Sequence, residues 1–281
     1  MKSAALYPRL QAGLAAVLFG ASAPIAKLLL GQVEPIPLAA LLYLGSGFGL
    51  LAFRLGQRTL GQIAAREAPL QRGDWPWLAG ATLAGGVAAP IVLLFSLENT
   101  PAATASLLLN FEIVATTLIA LLVFKEAISR RVVLAIGVIT LASILVSNNS
   151  NGEWGISLAA LGVLAACALW GIDNNLTRNI SAQDPVAIAM FKGVGAGLFS
   201  LLLALVLGNR LPSVAVALST MLIGILSYGL STVLAFHWCD VPHVPGDVLT
   251  LGRRPRPYAC APGNCARALP HPYRRASCTQ R

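Results

Sequence analysis

Residues 101–124 read PAATASLLLNFEIVATTLIALLVF and hold a single ionisable side chain, Glu112. Wound as an α-helix, this stretch is about 36 Å long, enough to cross a hydrocarbon layer about 30 Å thick. Barrel strands are much shorter, and a helix satisfies its own backbone polar groups inside lipid. The segment therefore predicts a membrane-spanning helix, and it sets the scale for reading the rest of the chain.

Seven further runs of similar character flank it. With 101–123 they are 11–30, 36–53, 75–97, 131–147, 156–177, 186–207 and 213–236, which predicts an all-α polytopic membrane protein with eight helices. Composition agrees. Hydrophobic residues make up 56% of the chain and charged residues 11%, against roughly a quarter charged in a soluble domain. One soluble core of this length would not hide that much apolar surface. Lys2 and Arg9 ahead of the first run also suit a signal peptide cut near Ala21–Ala23. The length of that run and its internal counterpart, described below, favour a retained helix.

The net charge of +9 sits in connections. Arg54, Arg58, Arg66 and Arg72 share one, Lys125, Arg130 and Arg131 another, and a third group lies in the C-terminal tail. The alternate connections 31–35, 98–100 and 148–155 contain no Lys or Arg, and 208–212 contains Arg210 alone. This pattern reads as topology and not as a nucleic-acid face. It places the N-terminus and the tail in the cytoplasm and the protein in the cell (inner or plasma) membrane.

The chain also repeats itself. Leu18-Phe19-Gly20 followed by Lys27 matches Leu169-Trp170-Gly171 followed by Arg178 at the same spacing. Pro35 and Pro185 then open the next helices. Those helices hold Gly45, Gly47 and Gly49 in one case and Gly193, Gly195 and Gly197 in the other. Helix six repeats helix one after five helices, an odd number, so the halves cross the membrane in opposite senses. Such inverted repeats carry a solute site near the midplane. Gly45 with Gly49, and Gly193 with Gly197, are small-x-x-x-small pairs that let helix backbones approach closely. Pro24 and Pro90 lie within spans, where they favour kinks.

Leu107-Leu108-Leu109-Asn110-Phe111-Glu112, then Thr116 or Thr117, then Phe124-Lys125-Glu126 resemble the helix-four pattern of the EamA-type permeases of the drug/metabolite transporter superfamily. Leu18-Phe19-Gly20 with Lys27 and Ser227-Tyr228-Gly229-Leu230-Ser231 are similar to other segments of that family. The resemblance covers about 10–236. It implies ten helices in two inverted five-helix repeats around a central solute pathway. On that basis 10–147 is the first repeat (TM1–TM5) and 156–236 a partial second one (TM6–TM8). Two departures stand out. Ile113 occupies a position where the family usually has proline, so helix four need not be broken there. Residues 237–281, rich in Arg, Pro, Cys and His, replace the expected helices nine and ten. Their composition suits an aberrant, out-of-frame or disordered tail. Cys260, Cys265 and His271 there fit no common zinc spacing, so neither a metal nor a cofactor is expected.

Ionisable groups inside spans are costly and hence candidates for function. Glu112 is the first, binding solute or a coupling proton, or held by a neighbouring helix or by Lys192. Asn110 lies roughly 200° around the helix from it, and Thr116 shares its face. Asp173 is either a wet half-helix site or the interfacial exit of helix six. Lys192 snorkels or pairs with Glu112. Lys27 and Arg178 sit near helix ends, where snorkelling competes with a pathway role. No nucleophile–base pair, phosphate loop or metalloprotease motif suggests an enzyme. The function expected is secondary transport of small metabolites, amino-acid-like or drug-like, by alternating access. The partners are then the lipid bilayer, a small solute and a coupling proton. Two alternatives stand beside it: a non-functional truncated or frameshifted remnant of such a permease, and a membrane scaffold or accessory subunit completed as a homo-oligomer.

Overall fold

Pro35 and Pro185 each stand in the first turn of a helix, where a missing N–H breaks no bond. At the second, Asp184 caps the helix by accepting from the backbone of Val186 (2.9 Å) and Ala187 (3.0 Å). The computed structural model describes residues 6–60, 68–125, 129–147 and 158–234, all within one compact unit, Met1–Val244. The tail 237–281, Glu126 and the connections 61–67 and 148–157 lie outside the described residues.

Within them the chain is helical. We label α1 (Leu6–Gly20, resuming as Ser22–Leu29), α2 (Pro35–Thr59), α3 (Arg72–Glu98), α4 (Ala102–Leu122), α5 (Arg130–Ser147), α6 (Leu158–Arg178), α7 (Pro185–Val206) and α8 (Val214–Leu234). These fall on the eight segments the hydropathy predicts. Six of them, α2, α3, α4, α6, α7 and α8, are long and apolar enough to cross a membrane. The protein is an all-α, multi-pass membrane protein. Extended pairing among the described residues is limited to one bridge, Ala68 with Gln183.

Helix α2 is the central packing element. Leu38, Ala40, Leu42, Leu44 and Leu50 on it are buried, and glycines bring its backbone onto two others. A Cβ at Gly47 would lie 2.5 Å from Val194 N of α7, and one at Gly193 would lie 2.8 Å from Gly47 Cα. Gly197 abuts Leu44. Toward α8, a Cβ at Gly45 would lie 2.1 Å from Met221 O, and one at Gly224 would lie 2.1 Å from Leu42 O. Gly49 meets only the Ile225 side chain, at 3.0 Å. Lipid supplies no hydrophobic drive for helix association, so this close backbone approach carries the packing. On α5, by contrast, Leu134, Val138, Leu141 and Leu145 are all exposed along one helical row, a surface suited to lipid.

Besides α4, whose break is described below, three spans are not uniform α-helix, and proline explains part of this. In α1, Pro24 has no N–H for Gly20 O, and the helix breaks at Ala21. In α3, Thr82–Ala88 is π-helical, and Ala89 N donates to Ala84 O, five residues back. In α8, Ile225–Leu230 is likewise π-helical.

The ends are tied together. Glu34 is bonded to Asn209 and accepts from Arg210 N (3.4 Å). Lys27 Nζ donates to Leu97 O and to Thr100 O (2.6 Å). Arg54 pairs with Asp184, and Gln183 donates to Asp74 (3.0 Å). Each tie joins connections that alternate crossing puts on one side.

Gly193→Val should lower stability by about 1–3 kcal/mol or prevent assembly, because the added atoms meet backbone that cannot yield. Gly56→Ala, whose added Cβ meets nothing within 4 Å, should leave the thermal midpoint in mild detergent unchanged. Equal midpoints for both variants would contradict the packing role.

Candidate functional site

Helical spacing places Trp170, Asp173, Asn174 and Thr177 on one side of α6. Asp173 is buried at 5% exposure. Lys192 Nζ of α7 donates to both of its oxygens, at 2.5 and 2.7 Å, and Thr177 Oγ1 donates to Oδ1 at 2.9 Å. The sequence reading offered Glu112 as the partner of Lys192; the structure corrects this to Asp173. Asp173 itself lies in a buried ion pair. Gly85 supplies the reason. A Cβ there would lie 1.9 Å from Asp173 Oδ2, so the carboxylate occupies space that only glycine leaves open.

Glu112 is held instead from α6. Asn174 Nδ2 donates to Glu112 Oε1 (2.8 Å) and to Thr116 Oγ1 (3.2 Å). Asn175 Nδ2 donates to Thr116 O (2.9 Å) and Gly171 O (2.8 Å). Gly171 makes this possible, since a Cβ there would lie 2.9 Å from Thr116 N. Glu112 is half-buried and Asn174 exposed, so the contact is open to small molecules.

Helix α4 is broken despite Ile113, and the break lies before Glu112. Leu109 and Asn110 have ψ of −22° and −19°, and Asn110 N, Glu112 N and Ile113 N all bond three residues back. Asn110 is exposed and donates to Leu107 O (3.0 Å), so it serves the break and does not reach Glu112. The Cys167 thiol donates to Leu108 O (3.6 Å) from the other side.

Gly85 has a second role. Ala89 bonds Ala84, and Pro90 has no N–H, so neither residue closes onto Gly85 O. That carbonyl instead accepts from Tyr43 Oη (3.0 Å) and Trp170 Nε1 (2.9 Å). Tyr43 stacks on Tyr228, with centroids 5.6 Å apart, and Phe19 meets Tyr228 edge-on at 5.8 Å. The repeat-matched aromatics Phe19 and Trp170 thus each contact a π-helical segment, of α8 and α3 respectively.

Glu112, Thr116, Asp173 and Lys192 fall into this cluster; Lys27 does not. Lys27 caps the C-terminal carbonyls of α3 and the chain just beyond, where a cation opposes the helix dipole. Arg178 lies over the Phe124 ring, 5.3 Å from its centroid. Sequence reasoning passed over Tyr43 and Gly85 as site residues. The signal available was Gly85-Gly86, five and four residues before Pro90, a pattern that frees a carbonyl inside a span. Among the described residues no group of three His, Cys, Asp or Glu is placed to hold a metal.

Residues 9–148 match the EamA-like transporter family. An uncharacterized transporter of Methanothermobacter thermautotrophicus is 29% identical over 207 residues, covering 69% of this chain and 60% of that protein. The chain therefore spans about 60% of this relative's length. A solved structure titled only as the crystal structure of a protein aligns with a TM-score of 0.56 at 18% identity, covering 83% of this chain and 77% of the other. That likeness concerns the fold alone.

Lys192→Met should cost about 3–5 kcal/mol by stranding a buried carboxylate, read as the shift in unfolding midpoint in mixed micelles. Adding Asp173→Asn should recover more than half of that loss. A double variant no more stable than Lys192→Met would contradict the pairing.

Proposed function

We propose that the chain, whose residues 9–148 match the EamA-like transporter family, is a secondary transporter moving a small solute across the membrane by alternating access. The carrying observation is the cluster that joins α4, α6 and α7: a buried Asp173–Lys192 pair beside an accessible Glu112 hydrogen-bonded to the neutral Asn174 amide. Ionised groups persist inside a span where the protein uses them, and these sit where both parts of the chain meet. Transport, and not catalysis, is what the family supports.

The working parts follow the repeat. We take 10–147 as the first unit and 156–236 as a partial second, related by inversion. Support comes from the crosswise aromatic contacts, Phe19 of α1 on α8 and Trp170 of α6 on α3. The π-helical segments of α3 and α8 are the elements best placed to change winding as the units rock. The Lys and Arg pattern orients the protein in the plasma membrane with its N-terminus in the cytoplasm. In this scheme Glu112 exchanges Asn174 for the solute or a proton during the cycle.

In proteoliposomes offered a mixed panel of amino acids, amines, carboxylates and nucleosides, at least one solute should accumulate above protein-free vesicles. Glu112→Gln should reduce that accumulation about tenfold or more, the loss of one charged hydrogen bond, while inserting normally. Unchanged flux in Glu112→Gln would remove Glu112 from the mechanism, and no flux of any solute would count against transport.

A further inference from the structure

We propose, resting on the transport reading above, that the solute is a cation: a primary ammonium or similar group carried on an aromatic or apolar body.

Charge balance in the cluster points this way. Both oxygens of Asp173 are engaged by Lys192, with Thr177 completing the set. Glu112 accepts from the neutral Asn174 amide, which also donates to the Thr116 hydroxyl, while the Lys192 ammonium is bonded to Asp173. Asp173, Lys192 and Glu112 together therefore carry one carboxylate more than they have ammonium groups. A lone ionised carboxylate in apolar surroundings is unfavourable, and a cationic solute neutralises it. The one ammonium in the cluster is already held, so no positive charge is left for an anionic solute.

The surroundings narrow the class further. Trp170 lies one turn from Asn174 on α6, about 6 Å along the helix face. The Tyr43 hydroxyl donates to Gly85 O, on the glycine that abuts the Asp173 carboxylate. Tyr43, Tyr228 and Phe19 continue the aromatic surface, and Phe19 is 51% exposed. Aromatic faces attract organic cations and pack their apolar bodies. A hard metal ion requires six or more oxygens, which Glu112 and Thr116 do not offer.

The test uses three near-isosteric probes on the purified full chain in detergent: phenethylamine, 2-phenylethanol and 3-phenylpropionate, followed by thermal shift and tryptophan fluorescence. Phenethylamine alone should stabilise the protein. Glu112→Gln should weaken its affinity about tenfold or more, and Phe19→Leu, with Glu112 intact, about threefold. Binding of the alcohol or the anion as tight as that of the amine would overturn the proposal. So would the absence of any probe binding, or amine affinity unchanged in Phe19→Leu and in whatever Glu112→Gln protein folds. Flux of an anionic or neutral solute in proteoliposomes would leave transport standing and remove the cation. Amine binding with no flux of any solute would keep the site and remove transport.

Discussion

A carboxylate buried between apolar helices persists only if a counter-charge reaches it and nothing else takes its place. The Asp173–Lys192 pair meets both conditions, and much of the interior is arranged around them. Lys192 reaches across from α7, Thr177 closes the remaining side, and Gly85 of α3 vacates the volume the carboxylate fills. Three helices are thereby held in one register. A side chain at Gly85 would displace the carboxylate, and displacement would leave two uncompensated charges in a low-dielectric interior.

The same glycine links the pair to the aromatic surface. A π-helical turn followed by Pro90 leaves Gly85 O without a backbone donor, and in a span an unpaired carbonyl costs several kcal/mol. Tyr43 and Trp170 supply the missing donors from α2 and α6. Polar contacts thus bind α2, α3, α6 and α7 where lipid offers no drive. The glycine contacts of α2 with α7 and α8 supply the close packing beneath them. At α4 the logic is similar. The break at Leu109–Asn110 exposes carbonyls, Asn110 and Cys167 cover them, and Glu112 starts the next helical segment facing α6.

Much of this architecture was legible residue by residue. The run from Pro101 to Phe124 and its seven companions could only be helices in lipid, and α1 to α8 fall where they lie. Pro35 and Pro185 open helices because a proline in the first turn breaks no bond. The contacts of Gly193 with α2 follow from the need of bare backbones to approach. The break in α4 does not depend on Ile113; the bonding changes at Asn110, a residue able to bond its own preceding carbonyls.

Sequence alone determined what depends on hydropathy and local chain geometry: a polytopic helical protein, its spans, and the candidacy of Glu112, Asp173 and Lys192 as costly groups in apolar runs. Tertiary structure decided which of these groups meet. Lys192 lies 19 residues from Asp173 and pairs with it, while Glu112 takes Asn174, 62 residues away. Such choices depend on the rotation and depth of each helix against its neighbours. Those are set by contacts such as Gly171 on Thr116 and Gly85 on Asp173, to which single-helix periodicity is blind.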